Sequence, residues 1–406
     1  MVGGGFAGAY VARELGERGA TVVSKENFML YTPLLPEAAS GTLEPRHCVV
    51  PLREMCPHAE LILGSVTALD LEAQTAVVET DEGTQTVSWR ELVLALGAVP
   101  RTLPVPGLSE HALSFKSLAD AIVLRNHVLH QLETADAALD EEERSRRLTF
   151  VFVGAGYAGV EALAELSDLV EDALQYYPRL RSTPRRWVLV DAASRILPDI
   201  PPPLGNYAAA ELSKREVEIH VDTTLESVSA GEAVLGNGTR IATNTLVWTA
   251  GVAPNPGLRE WSLPLDEKGR LEVDEVLRVR GHEHVWGLGD CARVPNLQSD
   301  NPDPPTCQHA LRQARRLAKN LTGPPKPYGY RMLGQVATLG RHKGIAEVLG
   351  VQLRGFVGWW VTRSYHLYQL PLAQRKFRVV VDWTVALFFR RDIAELGRLG
   401  EHEKLG

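Results

Sequence analysis

Two glycine-rich hexapeptides constrain this chain more than anything else in it. Gly3-Gly4-Gly5-Phe6-Ala7-Gly8 and Gly154-Ala155-Gly156-Tyr157-Ala158-Gly159 are both G-x-G-x-x-G. In that pattern the first glycine permits a tight turn, the second lets backbone approach a pyrophosphate, and the third lets a helix pack closely on a strand. Apolar residues continue at helical period after each copy: Val11, Ala12 and Leu15 after the first; Val160, Leu163, Leu166, Val170 and Leu174 after the second. Thr21 to Val23 reads as the strand after the first helix. Leu148 to Val153 and Trp187 to Val190 flank the second turn and helix. Strand, glycine turn, helix, strand, found twice, predicts an α/β fold with two Rossmann-like dinucleotide-binding domains. A length of 406 residues has room for two or three domains. Each helix N-terminus offers free N–H groups and a partial positive charge to phosphates.

The copies differ downstream. Asp191 closes the strand after the second helix, where a carboxylate can bond a ribose 2′-OH and repel a 2′-phosphate. Arg185, Arg186 and Arg195 are near enough in sequence to soften that repulsion. After the first copy the matching position is Ser24, and only Met1 and Val2 precede the glycines. A start upstream of Met1 is therefore expected, because a missing central strand would leave neighbouring backbone groups unpaired. Further strands end at Ala95-Leu96-Gly97, at Ala250-Gly251 and at Gly289-Asp290. The charged run Asp140 to Arg147 reads as a solvated helix end or linker.

Apolar residues at 45% and charged residues at 23% exclude a disordered chain, and a net charge of −7 argues against nucleic acid as partner. The charge is uneven. Between Pro304 and Arg391 there are 15 Lys and Arg against two acids, Glu347 and Asp382, so one surface is expected to meet something anionic, a membrane first. Beyond Tyr330 the chain becomes basic and aromatic and loses its α/β pattern. If Phe356 to Leu370 is helical, Thr362, His366 and Gln369 form one polar stripe among apolar neighbours. Trp383, Leu387, Phe388 and Phe389 precede Arg390-Arg391 in a second such segment. No run of ~18 apolar residues reads as a spanning helix, and no signal peptide is recognisable. Cys48, Cys56, Cys291 and Cys307 form no C-x-x-C, and His282 and His284 read as a loop edge rather than a metal site.

The motifs resemble those of the type II NADH dehydrogenases, single-subunit NADH:quinone oxidoreductases that pump no protons. The resemblance covers nearly the whole chain. It rests on the first glycine turn, Tyr31-Thr32-Pro33-Leu34-Leu35-Pro36, Ala95-Leu96-Gly97, Gly159-Val160-Glu161, Trp248-Thr249-Ala250-Gly251-Val252, Gly289-Asp290-Cys291-Ala292 and Cys307-Gln308-His309-Ala310-Leu311-Arg312-Gln313. In the last segment Cys307 stands for an Ala and Arg312 for a Gln. The resemblance implies non-covalent FAD, held by Gly3, Gly5, Gly8, Ser24, Ala95, Gly97 and Asp290. It implies NADH at Gly154, Gly156, Gly159, Asp191 and Gly251, with no metal. Glu161 would relay protons where nicotinamide, flavin and quinone meet, and Gln308 would lie against the flavin on the quinone side. The implied domains are FAD-binding at 1–115 and 273–330, a connection at 116–147, NADH-binding at 148–272, and a C-terminal amphipathic membrane-associating and quinone-access module at 331–406. Expected partners are a membrane quinone and the lipid surface, with a homodimer left open. The expected place is the cytoplasmic face of the cell membrane, peripherally attached. The competing readings are a sulfide:quinone oxidoreductase, whose paired redox cysteines Cys48 and Cys56 do not resemble; another NAD(P)H-dependent flavin oxidoreductase; and a catalytically silent membrane-associated flavin or nucleotide sensor.

Overall fold

The computed structural model describes residues 1–396, so the end of the expected 331–406 module lies outside the described residues. The helices that position the site are α1 Phe6–Leu15, α2 Leu118–Ala137, α3 Tyr157–Ala173, α4 Cys307–Thr322, α5 Gly355–Gln369 and α6 Ala373–Phe388. The described residues fold as two compact units, residues 1–31, 49–99 and 252–332, and residues 32–48, 100–251 and those from 333 onward.

In the first unit a parallel sheet is built from Glu60–Leu63, Thr21–Ser24, Leu92–Leu94 and Val285–Gly287. Val2 alone fills its centre, bridging Val23 on one side and Leu94 on the other. Met1 and Val2 both bond to the neighbouring strands: the Val2 N–H donates to Val93 O at 2.8 Å and the Val23 N–H to Met1 O at 2.8 Å. A groove of about 640 Å³ runs beside them, past Thr21, Trp89 and Leu321. Ser65–Asp70, Thr75–Thr80 and Gly83–Ser88 form an antiparallel sheet. Helix α4 turns Leu311, Ala314 and Leu317 inward and packs on α1, where Ala9, Val11 and Ala12 are fully buried.

The second unit holds a five-stranded parallel sheet in the order Ala112–Ser114, Thr245–Trp248, Thr149–Val153, Arg186–Val190, Val217–His220. Thr149–Val153 is buried along its whole length, as a strand covered on both faces requires. Helix α3 has the same character, with Leu163, Leu166 and Val170 fully buried. The charged run at Asp140 is a short helix, Glu141–Arg147, whose first turn is capped by the Asp140 carboxylate. The segment after Tyr330 begins as structure that periodicity does not reveal. Gly334–Thr338, Gly344–Val348 and Val351–Arg354 make an antiparallel sheet. Helix α5 lies on that sheet, and α6 follows.

Thr362 and His366 on α5 face inward, with Thr362 Oγ1 donating to Gly358 O at 2.8 Å. Phe356, Val357, Trp360 and Tyr368 of α5 are exposed, as are Phe377, Val381, Val385 and Phe388 of α6. Arg363 ties the two helices together, its guanidinium 4.3 Å from the Trp359 ring and 4.7 Å from the Trp383 ring.

Candidate functional site

The first glycine turn is shaped to leave one side open. Gly3 has φ +110°, and a Cβ there would stand 2.3 Å from Ala95 O. A Cβ on Gly8 would meet Gly3 O at 1.9 Å, while one on Gly5 meets nothing within 4 Å. Helix α1 starts at Gly5 with no side-chain cap, so its first N–H groups face that open side. Ser24 is buried beside Gly4. The structure therefore brings Gly3, Gly5, Gly8, Ser24 and Ala95 together around a cradle that a bound phosphate fits. Gly97, at φ +67°, follows the Ala95 strand end, and Asp290 stands half-buried in the 3₁₀ turn Gly289–Cys291.

That 3₁₀ turn is fixed by a polar network at the start of α4. Gln313 Oε1 accepts from the Gly289 N–H at 2.8 Å, and its Nε2 donates to Asp303 Oδ2 at 2.8 Å. Asp303 also accepts from Asn296 Nδ2 at 2.7 Å. Thr306 caps α4, and its hydroxyl meets His309 Nδ1 at 2.7 Å. Gln308, in the first turn, accepts a bond from Tyr330 Oη at 3.4 Å.

In the second unit the design repeats. Gly154 has φ +110° and lies against the Thr249 backbone; Gly159 lies against Gly154 O and Thr249 Oγ1; Gly156 is open. Helix α3 starts at Gly156, again without a side-chain cap. The Asp191 carboxylate closes the turn, Oδ2 accepting from the Ala155 N–H at 2.5 Å and Oδ1 from the Ala193 N–H at 2.7 Å. Gly251, exposed, follows the strand Thr245–Trp248. The three arginines expected near Asp191 are committed elsewhere. Arg185 pairs with Glu171 at 2.8 Å and Arg186 with Glu218 at 2.7 Å, and Arg195 donates to the Ile200 and Pro198 carbonyls.

Glu161 is the fifth residue of α3, two after Gly159, and is 8% exposed. Its Oε1 accepts from the Thr338 N–H at 2.8 Å and from Thr338 Oγ1 at 3.3 Å. No cation among the described residues pairs with it. Burial pushes its pKa up to about 8, against the pull of the Thr338 donors, and Glu165 and Glu37 push the same way. Glu37 is buried with Arg363 Nε at 3.1 Å and the Trp383 indole N–H as partners, and burial raises its pKa too. Glu165 pairs with Arg391 Nη2 at 2.9 Å and accepts from Ser40 Oγ at 3.0 Å. Of these three buried carboxyl groups, Glu37 and Glu165 each have a guanidinium partner and Glu161 has none among the described residues.

Glu37, Ser40, Thr42, Glu165 and Thr338 escaped the sequence reading, which has Arg391 only as a basic residue closing an apolar segment. Glu161, Glu165, Asp168 and Asp172, at spacings of four, three and four, form a carboxylate face on α3 that helical period could have shown. Their partners come from distant segments and leave no local signal.

Residues 1–314 match the family model described as pyridine nucleotide-disulphide oxidoreductase. A probable NADH dehydrogenase of Dictyostelium discoideum is 32% identical over 92% of this chain and 85% of its own. The type II NADH:quinone oxidoreductase NdhA of Mycobacterium tuberculosis is 30% identical over 96% of this chain and 87% of its own. Among solved structures, NDH2 of Plasmodium falciparum in complex with NADH shares the fold at a TM-score of 0.90 and 18% identity. It covers 97% of this chain and 98% of the other.

Proposed function

Because the chain belongs to the type II NADH:quinone oxidoreductases, within the pyridine nucleotide-disulphide oxidoreductase family, we propose a division of labour for an enzyme that passes electrons from NADH through FAD to quinone. The first unit holds FAD: the Gly3–Gly8 turn and the uncapped start of α1 take its pyrophosphate, Asp290 its ribitol, and Ala95 to Gly97 pack on it. The second unit holds NADH at Gly154, Gly156, Gly159 and Gly251, with Asp191 on the adenosine ribose. Bound FAD supplies a two-electron relay between nicotinamide and quinone.

The observation that carries the mechanism is Glu161. Quinol formation takes two electrons and two protons, while NADH gives two electrons and one proton as hydride. One further proton must come from water in each turnover. A buried carboxyl with a pKa of about 8 and no paired cation is protonated at neutral pH and can donate. Gln308 orients the quinone side, steadied by Tyr330. The exposed apolar faces of α5 and α6 seat the enzyme peripherally on the cytoplasmic face of the membrane; no helix among the described residues is long and apolar enough to cross it.

The cysteines give no support to thiol chemistry. Cys48, Cys56 and Cys291 are free and buried, with burial pushing their thiols up to about 12, 11 and 12. The test is steady-state NADH oxidation with a panel of quinones and added lipid, alongside single-turnover quinone reduction. Glu161→Gln and Gln308→Ala are expected to keep flavin bound and to accept electrons from NADH normally, yet to reduce quinone slowly. Normal quinone reduction in either variant removes that residue from the step.

A further inference from the structure

A proton donor that is 8% exposed needs a route by which it is reloaded, and α3 carries the groups for one. One turn beyond Glu161, Glu165 Oε2 accepts from Ser40 Oγ at 3.0 Å and from Thr42 Oγ1 at 3.4 Å. The two hydroxyls are themselves 3.0 Å apart. Thr42 and Asp172 then line a partly open cavity of about 20 Å³, with Arg341 and Arg391 on its wall. That volume holds about one water, and these polar groups give it partners. Exposed Leu387 and Phe389 also line it.

We propose that Thr42, Ser40 and Glu165 form a line that carries protons from the water at this cavity to Glu161, and that Arg391 is the positioning residue that holds the line together. The inference rests on the reading of Glu161 as the proton donor to quinone. A hydroxyl both donates and accepts, so Thr42 and Ser40 can each pass a proton on as they receive one. Each turnover then moves one proton from water, through the hydroxyls and Glu165, to the Glu161 carboxylate that has just given its own proton to quinone. Arg391 cannot give up a proton itself. Its Nε donates to Thr42 Oγ1 at 2.9 Å, its Nη2 to Glu165 and its Nη1 to Asp172 at 3.0 Å, so one guanidinium fixes two members of the line and the Asp172 wall of the cavity that feeds it. The other charged groups around Glu165 are Glu161 and Asp168 on the same helix, Glu37 from the 35–39 turn, Arg363 from α5, and Arg215, which pairs with Asp168.

The experiment uses the oxidised, flavin-loaded full chain and needs no turnover. The infrared carboxylic C=O band that disappears in Glu161→Gln is assigned to Glu161, and its shift is followed after mixing into D2O. Thr42→Val and Ser40→Ala are expected to slow that exchange by about tenfold or more, while Thr42→Ser stays near the unsubstituted rate. Steady-state quinone reduction should slow in the same two variants while the first turnover stays normal, and added formic acid should restore the steady-state rate. Exchange at the unsubstituted rate in both Thr42→Val and Ser40→Ala, with Glu161→Gln still impaired, would overturn the line and leave the donor in place. Unimpaired quinone reduction in Glu161→Gln would overturn the donor reading itself.

Discussion

Single residues decide which nucleotide enters and when protons are available. The Asp191 carboxylate is held by the Ala193 N–H of its own loop and the Ala155 N–H of the glycine turn, and Arg185, Arg186 and Arg195 are engaged elsewhere, so none of the three offsets its repulsion of a 2′-phosphate. A charged hydrogen bond to the ribose contributes about 1.5–3 kcal/mol, so kcat/KM for NADH should exceed that for NADPH by roughly tenfold or more. Asp191→Ser should narrow the ratio, and equal values for the two nucleotides in the unsubstituted enzyme would refute the assignment. Glu161 makes a prediction in pH. Its carboxyl can donate only while protonated, so single-turnover quinone reduction should fall as pH rises through about 8, and Glu161→Gln should lose that limb. Loss of a positioned proton donor costs on the order of 10²-fold or more in rate. The same shift acts on stability. The folded chain keeps a proton that the unfolded chain releases near its ordinary value of 4.5, so this group's contribution falls as pH rises from about 4.5 through about 8. Glu161→Gln has no such slope, and its Tm advantage over the unsubstituted protein should widen from pH 5 to pH 9. A constant difference across that range would show that Glu161 does not hold its proton.

At the scale of elements, α3 organises the second unit by offering two different faces. Leu163, Leu166 and Val170 pack into the core, while Glu161, Glu165, Asp168 and Asp172 meet side chains from four other segments, those of Ser40 and Thr42, Arg215, Thr338 and Arg391. Arg391 joins Glu165 and Asp172 with its side chain only 6% exposed, and Arg125 grips the next turn of chain through the Asp392 and Ala394 carbonyls. Removing one partner of a buried ion pair leaves the other charge uncompensated, so Arg391→Ala should destabilise by about 3–5 kcal/mol, read by chemical denaturation. A change under 1 kcal/mol would mean the pair is effectively solvated. Elements differ in how far sequence betrays them. The glycine turns and α1 and α3 are legible because a turn, a helix start and an apolar period are local properties. The sheet at Gly334–Arg354 is not, because its strands are buried unevenly and carry no period of two, and its turns use Gly340, His342, Leu349 and Gly350 at positive φ. The line through Ser40, Thr42 and Arg391 is invisible for another reason: residues 349 positions apart meet only after folding.

For the whole molecule, the question is what the apolar face of α5 and α6 meets, and charge and area give different answers to salt. A net charge of −7 should repel the chain from an anionic leaflet, whereas the basic stretch from Pro304 to Arg391 should attract it. Each basic side chain near such a leaflet contributes about 1 kcal/mol and is screened by salt. Burying an exposed Phe, Trp or Val contributes about 1.5–3 kcal/mol and is not. The two helices carry four basic side chains, Arg363, Arg375, Lys376 and Arg378, against the exposed Phe356, Val357, Trp360, Phe377, Val385 and Phe388, so at that face the apolar contribution is the larger. High salt should therefore leave most of the enzyme on anionic vesicles, and detergent should release it. Deleting the chain beyond Leu349 is a poor test, because it would remove Val351–Arg354 from its pairing with Gly344–Val348. Trp360→Asp with Phe388→Asp leaves that sheet intact and removes roughly 3–6 kcal/mol of apolar transfer, a loss of about 10²-fold or more in vesicle partitioning. Activity with a short-tailed, water-soluble quinone should survive in this variant, while activity with a long-tailed quinone in vesicles should fall with binding. If a second copy of the chain covers the face instead, the double substitution will lower the sedimenting mass and leave vesicle binding unchanged. Complete release of the unsubstituted protein by salt alone would show that electrostatics, and not apolar burial, holds it at the membrane.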